Sequence, residues 1–356
     1  MTEAAMLALQ NERWVLGESV YKFEEEFARY CGASFAIATS SGTSALAFAL
    51  ISLGVKPGDA VITSPASFVA SANSIIQSTA SPLFSDIGLE NYTIDPKTVR
   101  SSITKNTKVI LPVHLYGHPA AMDELVAICS EHGLGLVEDA CQAHGASFDG
   151  RKVGSIGDAG CFSFYPSKNM TVAGDGGMVV TNDEKIRECV TSLRDSGRVK
   201  GNRYLHDAIG FTARLNSVQA AIGRVQLRRL ENWNEKRRQI AKKYDDLLSD
   251  LDLRLPPSGD DKIKPVYHLY VIRSSQRDQQ KVWLARAGVE TGIHYPIPIH
   301  LQPVYKRMYD WQEGAFPNSE TLCREALSLP IYPTLTMDEV SFVSDSMHKF
   351  YASNQL

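Results

Sequence analysis

No stretch of this sequence approaches the roughly 20 consecutive apolar residues that cross a bilayer, so no transmembrane helix is expected. Cysteine is sparse, six residues in 356, at positions 31, 129, 141, 161, 189 and 323. None forms a C-x-x-C pair, and no spacing matches a zinc site or a small disulfide scaffold. Free thiols of a reduced compartment, hence a cytoplasmic protein, are the simplest reading. A charge excess is missing too: 37 Lys and Arg face 40 Asp and Glu, a formal net charge of −3, with no sign of a nucleic-acid or membrane partner. The opening MTEAAMLALQNER carries an acid early and no basic cluster ahead of its apolar residues, unlike a secretory signal. The usual nucleotide-phosphate cradles are absent as well. No glycine-rich run ends in Gly-Lys-Ser/Thr, and no G-x-G-x-x-G follows a strand.

What remains is an ordinary globular composition, 44% hydrophobic and 22% charged, in a chain long enough for two domains. From about residue 35 to 181 short β-prone runs (FAIAT, AVITSP, SPLFSD, TKVILPVHLY, LGLVEDA, CFSFY, GMVVTN) alternate with other segments. Three of those, SGTSALAFALISLG, FVASANSIIQS and AAMDELVAICSEHG, have helical apolar spacing, with stops at Gly54 and Gly133. The alternation predicts a mostly parallel seven-stranded sheet covered by helices. After Leu215 one long helix is expected, its dense Arg and Lys forming a solvated face. LPPSGDDKIKP reads as a surface loop, and the remainder as a smaller α+β unit with a helical tail from Met337. We therefore divide the chain into a large α/β domain, residues 12–240, and a small C-terminal α+β domain, residues 241–356.

Four local features carry chemistry. Small residues from Ser40 to Ser44 follow a strand and open a helix, which aims free backbone N–H groups at a place for an anion; an ordinary helix cap is the plainer reading. Glu138 and Asp139 close a strand at the sheet edge where open α/β folds bind ligands. Ser163 precedes Lys168 with Pro166 between them to bend the chain back, and Gly174, Gly176 and Gly177 follow, permitting tight turns. A lysine amine is a poor nucleophile unless its surroundings depress its pKa. His114, His118 and His144 suggest a metal, but HLYGHP lies between a strand and a proline rather than on a helix, and no metal site is expected. Together the helix start, the strand-end acid, the serine and the lysine suit pyridoxal 5′-phosphate. Its phosphate wants N–H and hydroxyl donors, its ring nitrogen a carboxylate, its aldehyde an amine. Phe68 could stack on the ring, although burial in the core is the usual fate of an isolated phenylalanine.

These stretches, with PVHLYGHPAAMDEL, GFTARLNSVQAAIGRVQLRRL, HYPIPIHLQPVY and LSLPIYPTLTMDEV, resemble the DegT/DnrJ/EryC1/StrS sugar aminotransferases of the pyridoxal-phosphate fold type I class, over about residues 10 to 350. The resemblance implies that Lys168 binds the cofactor's aldehyde and shuttles the proton, and that Asp139 pairs with the ring nitrogen. It places Gln142 near the phenolic oxygen, Ser163 with Gly42 and Thr43 at the phosphate, and Phe68 against the ring. It further implies a homodimer with shared sites and a ping-pong reaction, through pyridoxamine phosphate, from glutamate to a keto sugar on a nucleoside diphosphate. HYPIPIHLQPVY, with His294, Tyr295 and His300, would line the sugar side and leans toward 3-keto over 4-keto sugars. Polysaccharide biosynthesis is the implied setting.

Two positions depart from the family pattern. Thr212 stands in Gly210-Phe211-Thr212-Ala213-Arg214 where relatives usually carry an Asn that reaches the neighbouring subunit's phosphate, with Asn216 a substitute; Ser196 stands where many carry His. Rival readings are an aminotransferase of keto cyclitols, a sugar dehydratase, a non-catalytic regulator and a metal enzyme. Dehydratases of this kind replace the lysine, whereas Lys168 is present. Such regulators carry an added DNA-binding segment, for which about ten residues ahead of the fold leave no room.

Overall fold

The structure, a computed structural model, describes residues 1–353. Five strands come first: β1 (Phe35–Thr39), β2 (Ala60–Thr63), β3 (Ser81–Phe84), β4 (Thr107–Leu111) and β5 (Gly135–Asp139). A short hairpin, β6 (Ser147–Phe148) and β7 (Arg151–Lys152), precedes β8 (Ala159–Ser163) and β9 (Gly177–Thr181). The main sheet has seven strands in the order β1-β9-β8-β5-β4-β2-β3. Every expected strand is in it, and only β9 runs antiparallel to its neighbours. The middle strands read as near-continuous apolar runs because both faces are covered; all five residues of β9 are buried. On one face Phe23, Phe27, Phe162 and Phe164 belong to one cluster, and on the other the helix Gly42–Ser52 buries Leu46, Phe48 and Leu50 in a second.

The three expected helices form at Gly42–Ser52, Ala70–Gln77 and Met122–His132, the last ended by Gly133 at φ 62°. The long helix spans Ser217–Leu248, opened by Asn216, whose side chain accepts from the Gln219 N–H at 2.9 Å. It runs unbroken past residue 240, so its first half joins the first core through Ala220, Leu227 and Leu230 while Ile240, Tyr244 and Leu248 enter a third core. That core also takes Tyr270 and Ile272 of β11 (Tyr270–Arg273), Leu327 of β12 (Ala326–Leu329) and Met347 of the helix Met337–Ser353. The expected loop before β11 contains β10 (Ile263–Lys264), which joins the β6–β7 hairpin. The expected helices and strands begin at Phe35, yet helices Thr2–Asn11 and Glu18–Cys31 occupy the chain before it. The second is clearly two-faced, burying Val20, Phe23 and Phe27 at helical spacing.

Candidate active site

β1, β2, β5 and β8 all point their C-terminal ends to one edge, where the segments that follow enclose a cavity of about 330 Å³. The helix after β1 begins there. The Ser41 hydroxyl accepts from the Ser44 N–H at 3.1 Å, and the Ser41 carbonyl takes that of Ala45 at 3.0 Å. Among the described residues this leaves the N–H groups of Gly42 and Thr43 without a protein acceptor at the cavity wall, as expected of an anion site at a helix start. Gly42 is also sterically required. A Cβ there would sit 2.7 Å from Ser163 Cβ and 2.9 Å from Cys141 Sγ.

Alternation along β5 separates its two acids. Glu138 is fully buried, taking N–H bonds from Gly154 (2.7 Å), Ile156 (2.7 Å) and Gly157 (2.8 Å), and a fourth bond from His114 Nε2 (3.0 Å). His114 Nδ1 accepts from the Ala120 N–H, which places the ring proton on Nε2. Asp139 faces the cavity instead. Its Oδ2 accepts from the Ser71 hydroxyl at 2.7 Å and its Oδ1 from the Cys141 N–H at 3.2 Å. The three histidines thus go separate ways: His114 to Glu138, His118 to its own Pro119 carbonyl, and His144 against Phe162 and Phe164.

Lys168 closes a four-residue turn from Tyr165, its N–H bonded to the Tyr165 carbonyl at 2.9 Å, with Pro166 in the position that favours such a turn. The next residue anchors it. Asn169 donates to Asn234 on the long helix (2.9 Å) and to the Val266 carbonyl (3.1 Å), and meets His268 Nδ1 at 3.2 Å. Lys168 lines the cavity, and burial lowers the pKa of its amine, opposed in part by Cys141 and Asp139. A larger neutral fraction follows, which a nucleophilic or proton-moving amine needs.

The remaining walls come from Phe68, Gln142, His294 and Tyr295. Phe68 is 53% exposed, so it is a cavity wall and not core. Its ring centroid lies 5.8 Å from that of Tyr295. Gln142 is oriented by its neighbours. Its Oε1 accepts from the Tyr116 N–H at 2.8 Å, which turns Nε2 toward the Tyr295 hydroxyl at 3.3 Å. Tyr116 also donates its hydroxyl proton to the His294 carbonyl, tying the C-terminal segment to the residue that orients Gln142. Burial lowers the pKa of His294, with Lys168 adding to the effect, while burial raises that of Tyr295.

His300 does not belong here. It is fully buried and its Nε2 bonds Glu320 at 3.0 Å, because residues 299–301 turn after Pro298 and the Ile299 N–H is fastened to the Pro65 carbonyl. Thr212 is exposed and does not line the cavity of its own chain, while Asn216 spends its side chain on Gln219 as a helix cap. Ser67, Ser71 and Cys141, which sequence reading passed over, do line it. Ser67 lies just ahead of the helix Ala70–Gln77 and Ser71 in its first turn, and no local signal in PASFVASAN marks either as a cavity residue.

The donor set fits pyridoxal 5′-phosphate: free helix N–H groups beside a hydroxyl, a cavity-facing carboxylate and an amine of lowered pKa. The sequence model of the DegT/DnrJ/EryC1/StrS aminotransferase family matches residues 1–348. A dTDP-3-amino-3,4,6-trideoxy-alpha-D-glucose transaminase of Streptomyces venezuelae is 40% identical over 351 residues, 98% of this chain and 92% of the relative. A pleiotropic regulatory protein of Geobacillus stearothermophilus is also 40% identical, over 96% of this chain and 92% of its own length. The crystal structure of S. venezuelae DesV in complex with a ketimine intermediate superimposes with a TM-score of 0.95 at 39% identity, covering 98% of this chain and 93% of that one.

Proposed function

The chain belongs to the DegT/DnrJ/EryC1/StrS aminotransferase family, with pyridoxal 5′-phosphate as cofactor, and from that premise we propose that it moves an amino group from glutamate to a keto sugar carried on a nucleoside diphosphate. Carbon 3 is the favoured acceptor position, a reading supported by the 3-amino product in the name of the Streptomyces relative. The observation that carries the proposal is Lys168, a cavity-lining amine of lowered pKa opposite a carboxylate. When bound, pyridoxal phosphate supplies an aldehyde that takes up the amine and a ring that withdraws electrons from the bond being broken.

The chain's own groups do the rest. Lys168 would hold the aldehyde and, once displaced by the incoming amine, its free Nζ would accept and return a proton, for which a neutral amine is required. Asp139 holds the ring nitrogen's proton through a charge-assisted bond. Gly42, Thr43 and Ser163 hold the phosphate, with Thr212 of a neighbouring subunit a further donor, and Phe68 covers the ring. Gln142 offers an N–H to the phenolic oxygen, a role supported by the orientation that Tyr116 imposes. On the sugar side we retain His294 and Tyr295 and drop His300. The reaction needs a homodimer, in our reading, and each chain divides at residue 240 into the two domains; the separate third core supports that division.

The test is a panel of dTDP- and UDP-linked 3-keto and 4-keto sugars, with a keto cyclitol as comparison, each offered with glutamate. The expected result is amination of a nucleotide-linked 3-keto sugar with parallel double-reciprocal plots. Turnover of the cyclitol alone would overturn the substrate assignment, and no transfer from glutamate to any acceptor would overturn the donor.

A further inference from the structure

Serines inside helices commonly satisfy their hydroxyl on a carbonyl three or four residues back. Two neighbours in this chain do so: Ser74 donates to the Ser71 carbonyl and Ser78, just past the helix end, to that of Ile75, both at 2.8 Å. Ser71, on the same helix, does not. Its hydroxyl crosses to Oδ2 of Asp139, 68 residues away in sequence, at 2.7 Å. A carboxylate can only accept, so the Ser71 proton is committed to it. The second hydroxyl in contact with Ser71, that of Ser67 at 2.8 Å, must then donate. Ser67, Ser71 and Asp139 are all more than nine-tenths buried, so the chain Ser67 to Ser71 to Asp139 runs in a poorly solvated setting where successive hydrogen bonds polarise one another.

The helix that carries Ser71 is itself fastened. Asn73 accepts from the Tyr305 hydroxyl at 2.7 Å, and Ser67, just ahead of that helix, lines the cavity beside Phe68. Among the described residues the other anchor of Asp139 is Cys141, whose N–H meets the opposite oxygen. Without Ser71 only the contact with Cys141 restrains rotation of the carboxylate about the bond to its Cβ.

We propose that Ser71, backed by Ser67, is a positioning residue: its hydroxyl fixes the Asp139 carboxylate at the orientation in which it meets the cofactor's ring nitrogen. The proposal rests on the assignment of Asp139 made above. Ser71 touches neither substrate nor cofactor in this account and acts through Asp139.

Two readouts other than turnover test it: pyridoxal phosphate affinity, and the pH at which the visible band of the loaded protein changes form. A proton secured on the ring nitrogen favours loss of the proton near Lys168, so loosening Asp139 raises that pH. Ser71→Ala is expected to weaken cofactor binding about tenfold and to raise the midpoint by about one pH unit. Ser67→Ala gives smaller shifts in the same direction, and Ser71→Thr, which keeps the hydroxyl, restores both. Wild-type affinity and midpoint in Ser71→Ala would overturn the proposal. So would a Ser71→Thr variant as impaired as Ser71→Ala, which would make the site one of packing. A wild-type protein that takes up no cofactor would overturn the proposed function and this inference with it, whereas the Ser71 variants in a protein that does take it up overturn this inference alone.

Discussion

Glu138 and Asp139 are the same chemistry one residue apart, yet the two faces of β5 put them to opposite uses. On Glu138's side four donors converge on two oxygens, and nothing is left to bind a ligand. On Asp139's side there are two donors and an open cavity. The saturated acid holds the loop of residues 154–157 and the His114 ring to the sheet. The unsaturated one keeps lone pairs free for something that arrives later. Adjacent position therefore says nothing of shared function in a strand; the number of unspent acceptor sites does.

The sharpest way to break that comparison is to convert each acid to its amide. In Glu138→Gln whichever oxygen becomes NH₂ confronts two donors, so a loss of about 3 kcal/mol or more is expected, read by denaturant unfolding of the cofactor-free protein. Asp139→Asn leaves the fold within about 1 kcal/mol, since the Ser71 hydroxyl can turn to accept. It should weaken pyridoxal phosphate binding about 100-fold, by titration of the visible band. If both variants lose stability equally, the two faces are not different in kind.

A smaller effect is expected across the cavity. Gly42→Ala places a methyl against Ser163 and Cys141, so cofactor affinity should fall about tenfold with little loss of secondary structure by circular dichroism. The smallest concerns Lys168. Its folded pKa is lowered, so protonation favours the unfolded chain; the penalty is fully present below the lowered pKa and disappears above the unfolded value of 10.5. Cofactor-free Lys168→Met should accordingly be more stable than wild type at pH 7, with the advantage gone near pH 11. An advantage that grows with pH would contradict the burial argument.

Much of the site was legible because its residues sit where local signals are strong. Asp139 lies at a strand end, Lys168 in the proline turn that follows another strand, and Gly42 and Thr43 at a helix start, and each of those places announces itself in a few residues. What escaped depends on distant partners. His300 stands in a proline-rich run with no periodicity, and its fate is set by Glu320, twenty residues on. Ser71 looks like any helical serine until the Asp139 contact is seen. Glu138 gives no sign in sequence that it is saturated, because three of its four donors are backbone groups of a loop whose shape no side chain advertises. The helix Glu18–Cys31 is legible too, in the apolar spacing of Val20, Phe23 and Phe27.

The most direct test of the account is to record the visible spectrum of the purified protein, reduce it with borohydride and map the label by peptide mass spectrometry. The account predicts a yellow protein whose band disappears on reduction and shifts when glutamate is added, with the label on Lys168 and none in Lys168→Ala. A colourless protein that cannot be reconstituted with pyridoxal phosphate, or a label on another lysine, would contradict it.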